Sequence, residues 1–310
     1  MARTPRFLPR PGMMVHVTSR TVEGRFLLRP GPRQKSLAIG CLHRALQGRD
    51  LHLHAVVIAS NHVHLLLSPA SVEEMALFVG RFKRLLTLAT QRLHGWRGSV
   101  FAQRYDAVVV SDEEEAQLRT LRYVLAHGAK EGVVLSPRDW PGVHSAATLA
   151  DGVPLRGSWV RRKALWQARR RYGAAVDASD HCEAVDVELT PPPCWAGLGA
   201  AEVRRRARDL VASIEEEARS RHAEDGTAPR GAAAAQAVAV DMRPLDEPEL
   251  AGCPRFHAWS RRARRELIEA FSLFIAAYRA ASEALLVGET GPPFPVGCYP
   301  PGGPFVTALA

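Results

Sequence analysis

No run of eighteen or more apolar residues occurs in this 310-residue chain, so a membrane-spanning helix is not expected. Its first eleven residues place Arg3, Arg6 and Arg10 among three prolines and lack the continuous apolar segment of an export signal. A soluble protein of the cell interior is the expectation. Cysteine is sparse: Cys41, Cys182, Cys194, Cys253 and Cys298 are odd in number and widely spaced. That argues against a disulfide scaffold and a zinc knuckle, and for buried free thiols acting as small apolar side chains. No internal repeat is evident, and residues 151–310 carry no recognisable catalytic constellation.

What is present is enough apolar material for a sizeable core, 46% hydrophobic residues against 24% charged, as one large domain or two moderate ones. The formal charge of +9 is unevenly placed. Residues 1–150 hold 20 Lys and Arg against 11 Asp and Glu, while residues 151–310 hold 21 of each sign. The basic half also contains nine of the twelve histidines. Such a half suits a polyanionic partner, because neutralising phosphates supplies much of nucleic-acid affinity; a solubilising surface is the plainer reading.

Hydrophobic periodicity divides residues 1–150 into seven elements. Met13 to Arg20 is β-branched and comes after Pro11-Gly12, which predicts a strand. Lys35 to Gln47 aligns Leu37, Cys41, Leu42, Ala45 and Leu46 on a helical stripe. Leu51–Ala59 and Val63–Leu67 are strand-like and separated by a turn, so they pair antiparallel. Ser71 with Glu74 has capping-box spacing before a helix from Val72 to about Leu93. Tyr105–Val110 is the next strand, and Glu113 to about Ala129 the next helix, with Glu113, Glu114 and Glu115 at the end the dipole favours for acids. The first six elements match a ferredoxin-like βαββαβ sheet, an α+β fold, and the seventh is an added helix bearing Tyr123. The expected division is 1–150 and 151–310, the second a mostly helical accessory region with a Pro/Gly-rich tail anchored by Phe294, Tyr299 and Phe305.

The sharpest local feature is Asn61-His62-Val63-His64-Leu65-Leu66. Alternate strand residues share a face, so His62 and His64 project together with Cα atoms about 6–7 Å apart and can reach one divalent ion. Alone, His-x-His is weak; His52 and His54 form the same pattern on the neighbouring strand. A second element sharpens it. Tyr123 and His127 are four apart on the added helix and share a face, a hydroxyl beside a third candidate ligand. A phenol is a poor nucleophile near neutral pH unless its charge is stabilised, and a metal could provide that while polarising a phosphate. Core packing remains the bland alternative for Tyr123. Tyr105 is a rival nucleophile better read as packing beside Trp96 or Phe101, and the direction in which His16 faces is open.

Several segments in order resemble the single-tyrosine HUH transposases, especially the REP-associated tyrosine transposases. Val15-His16-Val17-Thr18-Ser19-Arg20 resembles their opening strand and Asn61-His62-Val63-His64-Leu65-Leu66 their metal motif. Phe101-Ala102-Gln103-Arg104-Tyr105 is similar to the segment before their last strand, and Leu121-Arg122-Tyr123-Val124-Leu125 to the start of their nucleophile helix. Gly132-Val133-Val134 and Asp139-Trp140-Pro141 resemble the family's segments beyond that helix. The likeness spans roughly residues 10–148, leaving a C-terminal extension. It implies metal-dependent cleavage and rejoining of single-stranded, hairpin-flanked DNA through a 5′-phosphotyrosine, as in transposition, with Tyr123 as nucleophile. It further implies Mg²⁺ or Mn²⁺ at His62 and His64, a cytoplasmic, nucleoid-associated setting without a membrane partner, and room for a homodimer.

One departure stands out: the family typically carries Asn-Pro after the tyrosine, and here the matching residues are His127-Gly128. His127 can donate a ring nitrogen at the Asn position, with a bias toward manganese or zinc; equally, the swap suits a domesticated or inactive copy. Two alternatives therefore stand beside strand transfer, a domesticated hairpin-DNA binder and a metal-dependent hydrolase using His52, His54, His62 and His64. Arg20, Arg25, Arg81, Lys83, Arg84 and Arg97 are candidate phosphate contacts, and Trp96 or Phe101 a stacking platform. Arg261, Arg262, Arg264 and Arg265 crowd the start of a predicted helix, the end unfavourable to positive charge, so something must compensate them.

Overall fold

The computed structural model describes residues 5–244 and 255–306, so Arg3 and Cys253 lie outside the described residues. The first half runs β1 (Val15–Arg20), α1 (Pro32–Leu46), β2 (Leu51–Ile58), β3 (His62–Pro69), α2 (Val72–His94), β4 (Asp106–Val110) and α3 (Glu114–Leu125). The second half runs α4 (Ala146–Asp151), β5 (Leu155–Val160), α5 (Arg162–Tyr172), β6 (Cys182–Val187), α6 (Ala200–Glu224), α7 (Ala232–Ala237), β7 (Phe256–His257) and α8 (Arg261–Leu286). The fold is α+β, with a βαββαβ-like sheet followed by a helical accessory region. Local chemistry explains the boundaries. Ser71 caps α2 by accepting a hydrogen bond from Glu74 N at 3.0 Å, and Gly95, at φ 65°, ends it.

The main sheet has the order β2-β3-β1-β4-β7, antiparallel except for the β4–β7 pair. Strand alternation gives its two faces different characters. Val15, Val17, Val63 and Leu65 point to one side, where Ile39 and Leu42 of α1 and Phe78, Phe82 and Leu86 of α2 cover them in the larger core. Ala55, Val57 and Leu66 point to the other side and meet Leu121, Val124 and Leu125 of α3 with Ala207, Ile214 and Ala218 of α6. On that second face the register sets Thr18 opposite His64 and Arg20 opposite His62.

The second half is less purely helical than its sequence suggests. β5 and β6 form a two-stranded antiparallel sheet resting on α1, so Trp159 belongs to a strand and α5 begins only at Arg162. The seat is close: a Cβ on Gly40 would lie 2.0 Å from the Ser158 carbonyl oxygen, so only glycine admits this approach. β7 extends the main sheet by two residues. Glu113, at the start of α3, ties the start of α8 to it, accepting from Trp259 N at 2.8 Å and Ser260 N at 3.0 Å. Hydrogen bonds from Ser260 and Ser111 hold its carboxyl down to about 2, and the resulting anion offsets the arginines at the start of α8. The tail packs through Phe294 on Tyr278 and Tyr299 on Phe305. Of the described cysteines, Cys41 and Cys298 are buried, Cys194 is intermediate, and Cys182 is exposed, unlike the buried thiol expected.

Candidate metal centre

His62 and His64 sit on the face of β3 that meets α3, and His127 arrives from the turn after that helix. Each offers a ring nitrogen, and the three lie within 4.8 Å of one another. α3 ends at Leu125, earlier than the expected Ala129, so His127 stands in a turn instead of on the helix. The four-residue spacing still works, with Tyr123 and His127 ring centroids 5.2 Å apart. The turn depends on Gly128. Its φ of +90° excludes proline, and a Cβ there would meet Trp140 Cε3 at 2.9 Å and Val134 Cγ2 at 3.2 Å. The His127-Gly128 departure is therefore a change of backbone course as well as of side chain.

Hydrogen bonds select the nitrogens left for an ion. His62 Nδ1 donates to Asn61 Oδ1 at 2.7 Å, and His127 Nδ1 donates to the Val124 carbonyl at 3.1 Å. Both leave Nε2 with its lone pair, the arrangement in which a partner on one nitrogen fixes the tautomer of a ligand histidine. His64 Nδ1 lies 2.9 Å from His16 Nε2. With Nδ1 protonated and donating to His16, His64 also presents Nε2.

Electrostatics agree with this assignment. Burial lowers His62 to about 3, with Arg20 and Lys130 adding to the effect. Burial, followed by Lys130 and His62, lowers His127 to about 2. His64 is held well below its ordinary value by burial and the neighbouring imidazoles. The rings are thus neutral at neutral pH, as coordination requires, and a convergent set of three neutral imidazoles, two buried and His62 partly so, fits a divalent cation.

Tyr123 borders this cluster. Its ring is half-exposed and lies 5.9 Å from both His16 and His64, centroid to centroid. Lys130 Nζ sits 3.8 Å from the Tyr123 ring centroid, and Glu131 Oε1 lies 3.9 Å from His127 Nε2. His257 of β7 stacks on His16 with 5.7 Å between centroids, so the accessory region reaches the edge of the cluster. Sequence reasoning left His16 undecided and missed Lys130, Glu131 and His257. Alternation along β1 held a signal for His16 once its register with β3 was known; His257 stands out in sequence only beside Cys253, a pair insufficient for a zinc site, and nothing marked Lys130 or Glu131.

The remaining candidates scatter. Arg20 is exposed beside His62. Arg25 pairs with Glu23 at 2.7 Å and lies over Trp96. α2 covers the opposite face of the sheet, which places Arg81, Lys83 and Arg84 across the sheet from the histidines. Lys83 caps the Gln103 carbonyl at 2.8 Å and lies over Phe101, while Arg84 and Arg97 are exposed. Tyr105 is buried in the larger core with Phe101, under the Arg6 guanidinium. His52 and His54 do not join the cluster. His54 is occupied instead by Ser68 Oγ at 2.8 Å and the Thr190 carbonyl at 3.0 Å.

No protein-family model matches the chain, and no curated protein sequence matches it. Among solved structures it is similar to a REP-associated tyrosine transposase bound to a REP hairpin, at 16% identity and a TM-score of 0.38, over 49% of this chain and 87% of that one. It is also similar to a crystal structure of a transposase, so named provisionally, from Deinococcus radiodurans R1. That match has 20% identity and a TM-score of 0.28, over 39% of this chain and 95% of that one. Likeness this distant carries no functional inference; the site has to.

Proposed function

We propose that this chain cleaves and rejoins single-stranded, hairpin-flanked DNA through a 5′-phosphotyrosine on Tyr123, with a divalent metal at His62, His64 and His127. The observation that carries the reading is the phenol ring of Tyr123 within 6 Å of three clustered imidazoles, those of His16, His64 and His127. When bound, the ion supplies Lewis acidity toward the scissile phosphate. Three nitrogen donors suit Mn²⁺ or Zn²⁺ better than Mg²⁺. Residues 1–150 form the catalytic unit in this reading, and residues 151–310 an accessory region that buttresses it through α6 and His257.

The chain's own residues support the step. Tyr123 Oη attacks phosphorus as the bond to the 3′-oxygen breaks, and the phenolic proton is balanced by the one the 3′-oxygen gains. The Lys130 ammonium over the ring places positive charge beside the attacking oxygen and its phosphate. His16 holds His64 in its ligand tautomer. In this reading Arg20, opposite His62 in the sheet register, holds the flanking phosphate, and Arg25 and Arg97 are candidate contacts farther along the strand; Arg81, Lys83 and Arg84, on the other face of the sheet, are not contacts of a strand at the cluster. The covalent intermediate conserves bond energy, so attack by another 3′-hydroxyl rejoins strands without nucleotide hydrolysis.

The test is a denaturing gel of protein with labelled hairpin-flanked single strands and Mn²⁺. A covalent adduct is expected for the wild type and none for Tyr123→Phe. Binding without adduct in the wild type would mean a hairpin binder, and cleavage surviving Tyr123→Phe a metal-dependent hydrolase.

A further inference from the structure

Beside the histidine cluster lies a cavity of about 260 Å³ that no step of the proposed chemistry uses. The turn between β2 and β3, the turn after α3, and Trp140 form its floor; residues 230–238, including α7, close it. The closing wall is tied down: Arg230 N donates to the Gly132 carbonyl at 3.0 Å and Gly231 N to the Val133 carbonyl at 2.8 Å. Arg29 also donates to the Val238 carbonyl at 3.0 Å. His62 lines this cavity and belongs to the histidine cluster, so the two adjoin at that ring.

The lining states what kind of group fits. Phe26, Val133, Trp140, Ala235 and Val238 give it largely apolar walls. Its side-chain amide and indole are already engaged. Trp140 Nε1 donates to the Ile58 carbonyl at 3.0 Å, Asn61 Nδ2 donates to the Gly24 carbonyl at 3.1 Å, and Asn61 Oδ1 accepts from His62. An occupant is therefore selected by shape and apolar contact more than by hydrogen-bond readout. Among the described residues of the lining, only Glu131 and Arg230 bring charge. A phosphate held at the cluster carries its base within one nucleotide's reach of this cavity, and an unpaired base has apolar faces to bury.

We propose that the cavity receives one unpaired nucleobase next to the cut, with little discrimination among bases. The proposal rests on the reading that a DNA strand lies at the histidine cluster. It gives the accessory region a role in holding substrate, through α7.

Binding is the readout that tests it. Fluorescence anisotropy in Mn²⁺ would compare hairpin-flanked single strands with an abasic site walked through each position, on the wild type and on Ala235→Phe, which fills the cavity. One abasic position adjacent to the cut is expected to weaken wild-type binding about 5- to 100-fold. Ala235→Phe should weaken binding of the intact strand similarly and become indifferent to that abasic position. Ala234→Trp fills the same space from the exposed side of α7 and should repeat the pattern if Ala235→Phe melts early. Additive losses, or intact-strand binding unchanged in both variants, would overturn the proposal. An adduct at Tyr123 with an additive cycle would sink the base pocket alone; a non-additive cycle without adduct would sink cleavage alone. Failure to bind any strand would overturn both.

Discussion

β2 and β3 carry the same His-x-His spacing one strand apart, at His52/His54 and His62/His64, and they have opposite fates. On β2 the pairing with β3 slips between Leu53 and Ala55, so the alternation that should align the two rings is broken at His54. His52 stays exposed, and His54 turns inward to Ser68 and Thr190. On β3 the register is regular, both rings share a face, and a turn from another element delivers His127 between them and Tyr123. The motif is identical; what stands opposite it differs. A cluster able to hold a metal is here a property of the face and its third partner, not of the spacing.

The largest effect that would break this comparison is loss of the cluster itself. His64→Ala should lower Mn²⁺ affinity by more than about 100-fold by calorimetry and abolish the Tyr123 adduct, whereas His52→Ala should leave both within about 2-fold. Equal losses in the two variants would show that the pairs are not distinguished in the way the register requires.

A second, smaller effect belongs to the structural histidine. Burial lowers His54 to about 4 from its ordinary 6.5, with its bond to Thr190 working the other way. The folded value lies below the unfolded one, so the unfolded chain binds the extra proton. Stability from this group is complete above about pH 6.5 and is lost as pH falls toward 4, by about 2 kcal/mol at pH 5. His54→Gln should make denaturant stability of the metal-free protein less steep across that window by about 1.4 kcal/mol per pH unit, while being less stable at pH 7 through the weakened pair of hydrogen bonds. An unchanged slope would mean that His54 is protonated in the fold.

Most of the sheet and the inner part of the site were legible in the sequence because their signals are periodic. Alternation in Val63 and Leu65 against His62 and His64 set which layer each joined, and capping at Ser71 set the start of α2. The four-residue step from Tyr123 to His127 survived even though the helix stopped at Leu125, because one turn of helix and a tight turn place those rings alike. What escaped is non-local. β5, with Gly157 and Arg156 inside it, has no clean alternation and is a strand because β6 pairs with it and α1 supplies a seat at Gly40. β7 is two residues long and exists through β4, so nothing marked His257 as a neighbour of His16. Lys130 reaches Tyr123 only because the chain reverses at Gly128.

That reversal offers the finest test of what separates β3 from β2, because it concerns the third partner and touches no ligand. Gly128→Ala puts a side chain at φ +90° and drives a methyl to 2.9 Å from the Trp140 ring, which is buried and cannot retreat freely. A left-handed residue of this kind costs about 1–3 kcal/mol. The turn can relieve the strain by moving His127 away from His62 and His64. Thermal unfolding should therefore fall by several degrees, and Mn²⁺ affinity should fall by about 10-fold, less than for His64→Ala. A variant that loses stability but keeps full Mn²⁺ affinity would leave His62 and His64 sufficient by themselves, and the contrast with His52 and His54 would then rest on register alone.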